Sequence, residues 1–231
     1  MDMKRRNFFM GLTAAGAGAA GFLKSAGALA RKLPSGPDGK GDSGEGIIEL
    51  PGFEKDKSYP LEKALLERRS DRSFKDGTRL ELERLSRIFW AADGVNREDD
   101  HRTAPSALAR YPVDIYGALP EGVYKYDPKK HRLEQIISRD IRDEIPRQPS
   151  FRKVPLNLLY VINQGLIERG ETAWADIEVG CMVQNVYLEC AALGLGSCVY
   201  ALVRFDNVRE LLGLKNNQIL RIAQAVGEVR D

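Results

Sequence analysis

Histidine and cysteine are scarce in this 231-residue chain, which has two of the first, His101 and His131, and three of the second, Cys181, Cys190 and Cys198. No Cys/His pair stands at ligand spacing, so a structural or catalytic zinc site has no support. Three is an odd number for a disulfide framework, and the apolar surroundings of these thiols point to buried free cysteines. A bridge from Cys181 to Cys190 along one helix would be too long to form. A dominant charge is lacking too. The formal net charge is +2, of which the first thirty residues hold +3, leaving the remainder at −1. That balance gives no reason to expect nucleic acid or an anionic membrane as partner. There is no internal repeat and no composition of the disordered kind. The charged fraction of 29% and the apolar fraction of 43% suit one globular domain with a sizeable core.

What is present begins with a basic N-terminus. Lys4-Arg5-Arg6 is followed by a Gly/Ala-rich apolar stretch and then by Ala28-Leu29-Ala30, a small-residue cleavage pattern. The run Lys4-Arg5-Arg6-Asn7-Phe8-Phe9-Met10 resembles the twin-arginine export motif, which implies a signal peptide over residues 1–30 and a periplasmic location. By that resemblance the route carries proteins already folded, often around a cofactor. No cysteine stands near the cleavage point, so no lipid anchor or other stable membrane anchor is expected. Gly16, Gly18 and Gly21 match a dinucleotide-binding fingerprint, but no strand precedes them, and they are read as signal glycines. Residues 31–46, rich in Gly, Ser, Lys and Asp with Pro34 and Pro37, read as a flexible linker before a domain over 47–231.

Within that domain Leu61, Ala64 and Leu65 are spaced as a helix running to Arg69. Leu82, Leu85, Ile88, Phe89 and Ala92 repeat a helical stripe that Gly94 stops. Strand character comes next at residues 113–119 and 123–126 around a Pro120-Glu121-Gly122 turn, and again at 156–163 after Pro155. The longest helix spans about 173–193, with Glu178, Asn185 and Glu189 on one narrow polar line, so protein is expected on most of its sides. A strand over 198–203, a short helix over 207–212 and a last strand over 219–229 complete an α+β pattern.

The chemistry concentrates at Arg68-Arg69-Ser70-Asp71-Arg72-Ser73-Phe74. Three guanidiniums and two hydroxyls within six residues suit a phosphate or another planar acceptor. A solvated charge run at a helix end would read the same way, and these residues alone leave both open.

Arg68-Arg69-Ser70-x-Arg72-x-Phe74 resembles the opening motif of FMN-dependent nitroreductases, and the chain downstream of it is similar to their SagB-type, thiazoline-oxidase-like branch. The further motifs run in order: Phe89-Trp90-Ala91-Ala92-x-Gly94-Val95, Arg102-Thr103-Ala104-Pro105-Ser106-Ala107 with Tyr111-Pro112, Gly122-Val123-Tyr124-x-Tyr126-Asp127 with His131 and Leu133, and Gln184-Asn185 with Gly194-Leu195-Gly196-Ser197. The resemblance implies a nitroreductase-like fold, a central mixed or antiparallel sheet flanked by helices, with the long buried helix as the seam of a homodimer. It implies FMN as cofactor. Arg68, Arg69 and Ser70 would hold its phosphate and ribityl chain, and Arg72 the N1–O2 edge of the ring. Pro105 and Ser106 would approach from the facing subunit, and main chain at Gly194, Gly196 and Ser197 would meet N5. Each has a plainer reading as well: Ser106 as the start of a short helix, Gly194 as a helix stop, Phe89 and Trp90 as core. Trp90 is taken as core. The chain stops at Asp231 just after its last strand, which leaves Arg230 as the late basic residue for the phosphate and no arm to exchange between subunits.

The implied activity is ping-pong transfer of hydride or electrons to a small oxidised acceptor, nitro, quinone or related, with no side chain named as acid or base. A non-catalytic flavin carrier of the same fold is the alternative. NAD(P)H is the family's usual donor; an exported protein would need another, such as a reduced partner protein or a membrane quinol.

Overall fold

The computed structural model describes residues 46–54, 59–167 and 172–230. The export signal, and the linker up to residue 45, lie outside the described residues.

The centre is a seven-stranded sheet. Its strands are β1 (Ile47–Glu49), β2 (Val113–Leu119), β3 (Gly122–Asp127), β4 (Arg132–Ile137), β5 (Leu156–Asn163), β6 (Gly196–Tyr200) and β7 (Gln218–Gly227). They lie in the order β1-β4-β3-β2-β5-β7-β6. Every ladder is antiparallel, which decides between the mixed and antiparallel alternatives. Helices α1 (Leu61–Glu67), α2 (Leu82–Asp93), α3 (Thr172–Ala192) and α4 (Phe205–Leu211) complete the α+β architecture.

β5 explains why its sequence is apolar without alternation. Leu158, Tyr160 and Ile162 enter one core with Leu85, Ile88, Phe89, Met182 and Val186 from α2 and α3. Leu159 and Val161 enter a second core with Phe151, Tyr200 and Val208. A strand covered on both faces needs apolar residues at every position. Gly117 of β2 marks the tightest approach to α2, because a Cβ there would stand 2.5 Å from Phe89 Cζ.

Several boundaries differ from the sequence reading, among them that of the last strand, which runs Gln218–Gly227. α1 ends at Glu67, so Arg68 and Arg69 stand beyond the helix, with the Arg68 N–H closing it on the Ala64 carbonyl at 2.9 Å. β6 starts at Gly196 and ends at Tyr200, short of 203. β1 and β4 are additional strands.

α3 is covered on its polar line and not all round. Glu189 pairs with Arg87 of α2 at 2.6 Å, Asn185 donates to the Thr103 carbonyl at 3.4 Å, and Glu178 is buried. The outward face carries Trp174 and Ile177, which are 54% and 56% exposed in the single chain. α3 ends in a Schellman arrangement, the Leu195 N–H reaching the Cys190 carbonyl at 2.8 Å and the Gly194 N–H reaching Ala191 at 3.2 Å.

Candidate functional site

The arginine segment is held against the free edge of β6. Ser70 and Ser197 form the one parallel bridge among the described residues, and the Asp71 N–H donates to the Ser197 carbonyl at 2.9 Å. Downstream, Lys75 N–H meets the Glu228 carbonyl at 2.8 Å and Arg230 N–H meets that of Ser73 at 3.1 Å. The segment is thus clasped on both sides by main chain. Gly196 makes room for it, because a Cβ there would overlap Val229 Cγ2 and stand 3.0 Å from Asp71 Cβ.

Tyr187 of α3 organises the near end. Its hydroxyl accepts the Val199 N–H at 2.8 Å and lies 3.1 Å from Ser70 Oγ, while the Arg68 guanidinium stands over its ring at 5.4 Å. Arg72 turns back to donate to the Ser70 carbonyl at 3.2 Å. Among the described residues, none of Arg68, Arg69 and Arg72 has a carboxylate partner. Guanidiniums without a carboxylate partner among the described residues, close to a serine hydroxyl, are suited to an anion. Arg230 stands next to it, its side chain paired with Asp76 at 2.6 Å on the exposed surface.

Two of the expected residues are occupied otherwise. The Ser197 hydroxyl is buried, donating to the Ala225 carbonyl at 3.0 Å and accepting from Gln224 at 2.9 Å, so its side chain is already committed. Gly194 is exposed with φ of +66°, the conformation that ends α3. Trp90 packs edge-on to Phe53 at 5.3 Å and donates to the Val95 carbonyl at 3.0 Å.

Pro105 and Ser106 lie elsewhere. They precede a 3-10 turn, Ala107–Ala109, beside Glu178, whereas Ser70 meets the same helix at Tyr187. Nine residues of α3 separate the two places, about 14 Å along the axis. One chain does not bring Ser106 onto the arginines. The loop at Ser106 is strained: Leu108, Ala109 and Tyr111 have φ of +55°, +52° and +47°, and the Ser106 hydroxyl accepts the Tyr111 N–H at 2.9 Å to hold the turn. Side chains in that region cost about 1 kcal/mol or more each, and such strain gathers at functional sites.

Behind Ser106 is a set of charges whose arrangement is tertiary. Asp93, the last residue of α2, receives Arg102 at 2.5 Å, and Arg102 stacks on the Tyr111 ring at 4.2 Å. Burial pushes the Asp93 carboxyl up to about 7 against the opposing pull of Arg102. Burial likewise pushes Glu178 up to about 7, with Ser106 and Arg102 pulling it down. A cavity of about 240 Å³ opens on the Asp93 side, lined by Tyr111, Asp114, Lys125 and Tyr126 among others. A smaller one of about 40 Å³ opens on the Glu178 side, lined by Ser106, Leu108, Arg110 and Trp174 among others. Tyr187, Asp93 and Glu178 were not singled out from the sequence as site residues. The one signal for Glu178 was an acid on an otherwise apolar helix.

Comparison with known proteins finds relatives of the same fold. A sequence profile described as the nitroreductase family matches residues 65–228. A protein of Methanocaldococcus jannaschii that carries the name nitroreductase is 34% identical over 190 residues, 75% of this chain and 92% of that one. Among solved structures, one from Ralstonia eutropha, also named for nitroreductase, superposes with a TM-score of 0.76 at 33% identity, covering 81% of this chain and 91% of that chain. A chain of the E. coli microcin synthetase McbBCD complex, solved with truncated pro-MccB17 bound, shares the fold at a TM-score of 0.63 and 21% identity, over 78% of this chain and 77% of that chain.

Proposed function

The chain belongs to the nitroreductase family, and on that premise we propose that it is an FMN-dependent oxidoreductase in which a donor and a small oxidised acceptor use one site in turn. The observation that carries this reading is the arginine segment bridged to the sheet edge at Ser70, with Arg68, Arg69 and Arg72 lacking a carboxylate partner among the described residues. That set fits a phosphate dianion together with an electron-rich ring edge.

In this reading Arg68, Arg69 and Ser70 hold the phosphate end and Arg72 lies at the N1–O2 edge, where its charge favours the reduced form. Bound FMN supplies hydride exchange at N5. Gly196 and Ser197 contribute main chain only, and Arg230 reaches the phosphate only by leaving Asp76. Pro105 and Ser106 come from a second copy of the chain, which closes the site. Two features support that homodimer: the separation of Ser106 from the arginines, and the exposed Trp174 and Ile177 on α3, with Leu61, Leu65 and Leu66 exposed on α1.

The motif order further supports the SagB-type branch. Lys4-Arg5-Arg6 and Ala28-Leu29-Ala30 support export, in which case the donor is not NAD(P)H; finding the native protein in the cytoplasmic fraction would remove that part of the proposal. The central test is an absorption spectrum of protein purified without added cofactor, with heat release and identification of the chromophore. Flavin bands with FMN released are the expected result. A colourless protein that takes up no added FMN would sink the proposal.

A further inference from the structure

Asp93, Arg102 and Glu178 form a buried cluster with one negative charge too many. Both carboxyl side chains are almost wholly buried, Asp93 at 2% and Glu178 at 2% exposure. One guanidinium serves the two, bonded to Asp93 Oδ2 and close enough to lower both carboxyls. One oxygen of each acid, Asp93 Oδ1 and Glu178 Oε1, has no hydrogen-bond partner among the described residues.

Among the described residues no neighbouring cation balances the charge. Lys125 of β3 is committed to Asp114 of β2 at 2.9 Å, and Arg132 of β4 to Glu134 at 2.5 Å and to Asp127. Arg110 lines the small cavity with Glu178, but the groups acting on that carboxyl are Ser106 and Arg102. Tyr126 faces Asp93 and is joined to His131 Nδ1 at 2.8 Å, and Ser106 faces Glu178. Two buried carboxylates against one guanidinium are costly, and a bound proton removes the excess. A retained proton would relieve this excess, and a cavity lies on each side of the cluster.

Resting on the flavin reading above, we propose that Glu178 is the proton donor of this site: the Asp93–Arg102–Glu178 cluster retains one proton, and Glu178 gives it to an acceptor lodged against Ser106. The acceptor takes a hydride, two electrons and one proton, from the reduced cofactor, and a new bond to hydrogen forms at its electron-rich atom as the Glu178 O–H bond breaks. The carboxylate left behind is reprotonated by water entering through the cavity at Asp93. Asp93 and Arg102 are positioning residues; they keep the proton in the cluster and touch no substrate. The strained turn at Leu108 and Ala109 holds Ser106 against the acid.

Infrared spectroscopy of the FMN-free protein reads the stored proton directly. A protonated-carboxyl band that titrates away near neutrality is expected, lost in Glu178→Gln. In Asp93→Asn, where the second carboxylate is gone, its midpoint moves down by at least about one pH unit. In FMN-loaded protein reduced photochemically, Glu178→Gln slows oxidation by benzoquinone at least about tenfold and flattens its pH profile, while photoreduction and FMN affinity stay unchanged. Glu178→Asp restores part of the rate. No titrating band in the wild-type protein, or wild-type oxidation with an unaltered pH profile in Glu178→Gln, overturns the inference while leaving the flavin reading intact. Failure to bind FMN at all overturns the flavin reading first and this one with it.

Discussion

The Tyr187 hydroxyl stands 3.1 Å from Ser70 Oγ while it receives the Val199 N–H at 2.8 Å. The phenol thus joins Ser70 of the arginine segment to the main chain of β6. One side chain of α3 thereby ties the edge strand to the serine of the arginine segment.

Tyr187→Phe separates these effects from the ring itself. The ring still supports Arg68, but the Val199 N–H loses its acceptor, at a cost of about 1–3 kcal/mol. Urea unfolding should register that loss, and an FMN fluorescence titration should show affinity reduced several-fold. Unchanged stability and affinity would show that Ser70 is oriented by something else.

Arg72 and Arg68 should differ in what they control. Arg72→Ala is expected to lower the flavin reduction potential, because a cation at the ring edge favours the reduced form, while Arg68→Ala chiefly weakens binding, by about tenfold or more. Spectroelectrochemistry with parallel binding titrations distinguishes the two. Equal potentials in all three proteins would remove Arg72 from the ring edge.

Stability should fall as pH rises toward neutrality. Burial raises both Asp93 and Glu178 above their ordinary values, to about 7, and as a coupled pair around one guanidinium they retain one proton between them. Between about pH 4 and pH 7 the folded state therefore binds more protons than the unfolded chain, and stability declines across that window before levelling off. The expected loss is on the order of 3 kcal/mol, since the two acids share their environment. Urea midpoints for the wild-type protein should be higher near pH 5 than near pH 8, and Asp93→Asn should flatten the difference. A wild-type profile that rises over this range would contradict the burial of an excess charge.

Replacing Trp174 and Ile177 by Glu puts two charges on the outward face of α3. Sedimentation should show a folded monomer, with FMN bound at least about tenfold more weakly if the second copy completes the site. A monomer that keeps full affinity would place the whole FMN site within one chain.

Gly196→Ala tests the clasp. A methyl group there meets Val229 and Asp71 at once. Overpacking of this kind costs about 1–3 kcal/mol, and residues 68–72 must shift with it. Thermal melts and FMN titrations should both move; a neutral substitution would mean the segment is loosely held.

The elements legible from sequence were those whose burial is written into neighbouring residues. The α2 stripe from Leu82 to Ala92 and the run of β5 after Pro155 carry their own periodicity and punctuation. β1 has three residues, and β4 mixes Arg132, Glu134 and Gln135 with its apolar positions, so neither has a pattern long enough to read. The same contrast holds at the site. Arg68, Arg69 and Arg72 are adjacent and reveal themselves by charge. Asp93 and Glu178 are 85 positions apart, and only the packing of α2 against α3 gives them a common arginine.

The parallel bridge from Ser70 to Ser197 has a second consequence, for solubility. A sheet that ends in a bare strand offers its main-chain N–H and C=O groups to any other extended chain, and proteins protect such edges with charge or cover. Here the cover is the arginine segment itself, bridged to β6 at Ser70 and Asp71 and fastened by Ser73 and Lys75 to residues 228–230 beyond β7. Substitutions that loosen this anion-binding arm would also strip the guard from the sheet, so that self-association through β6 would accompany loss of ligand.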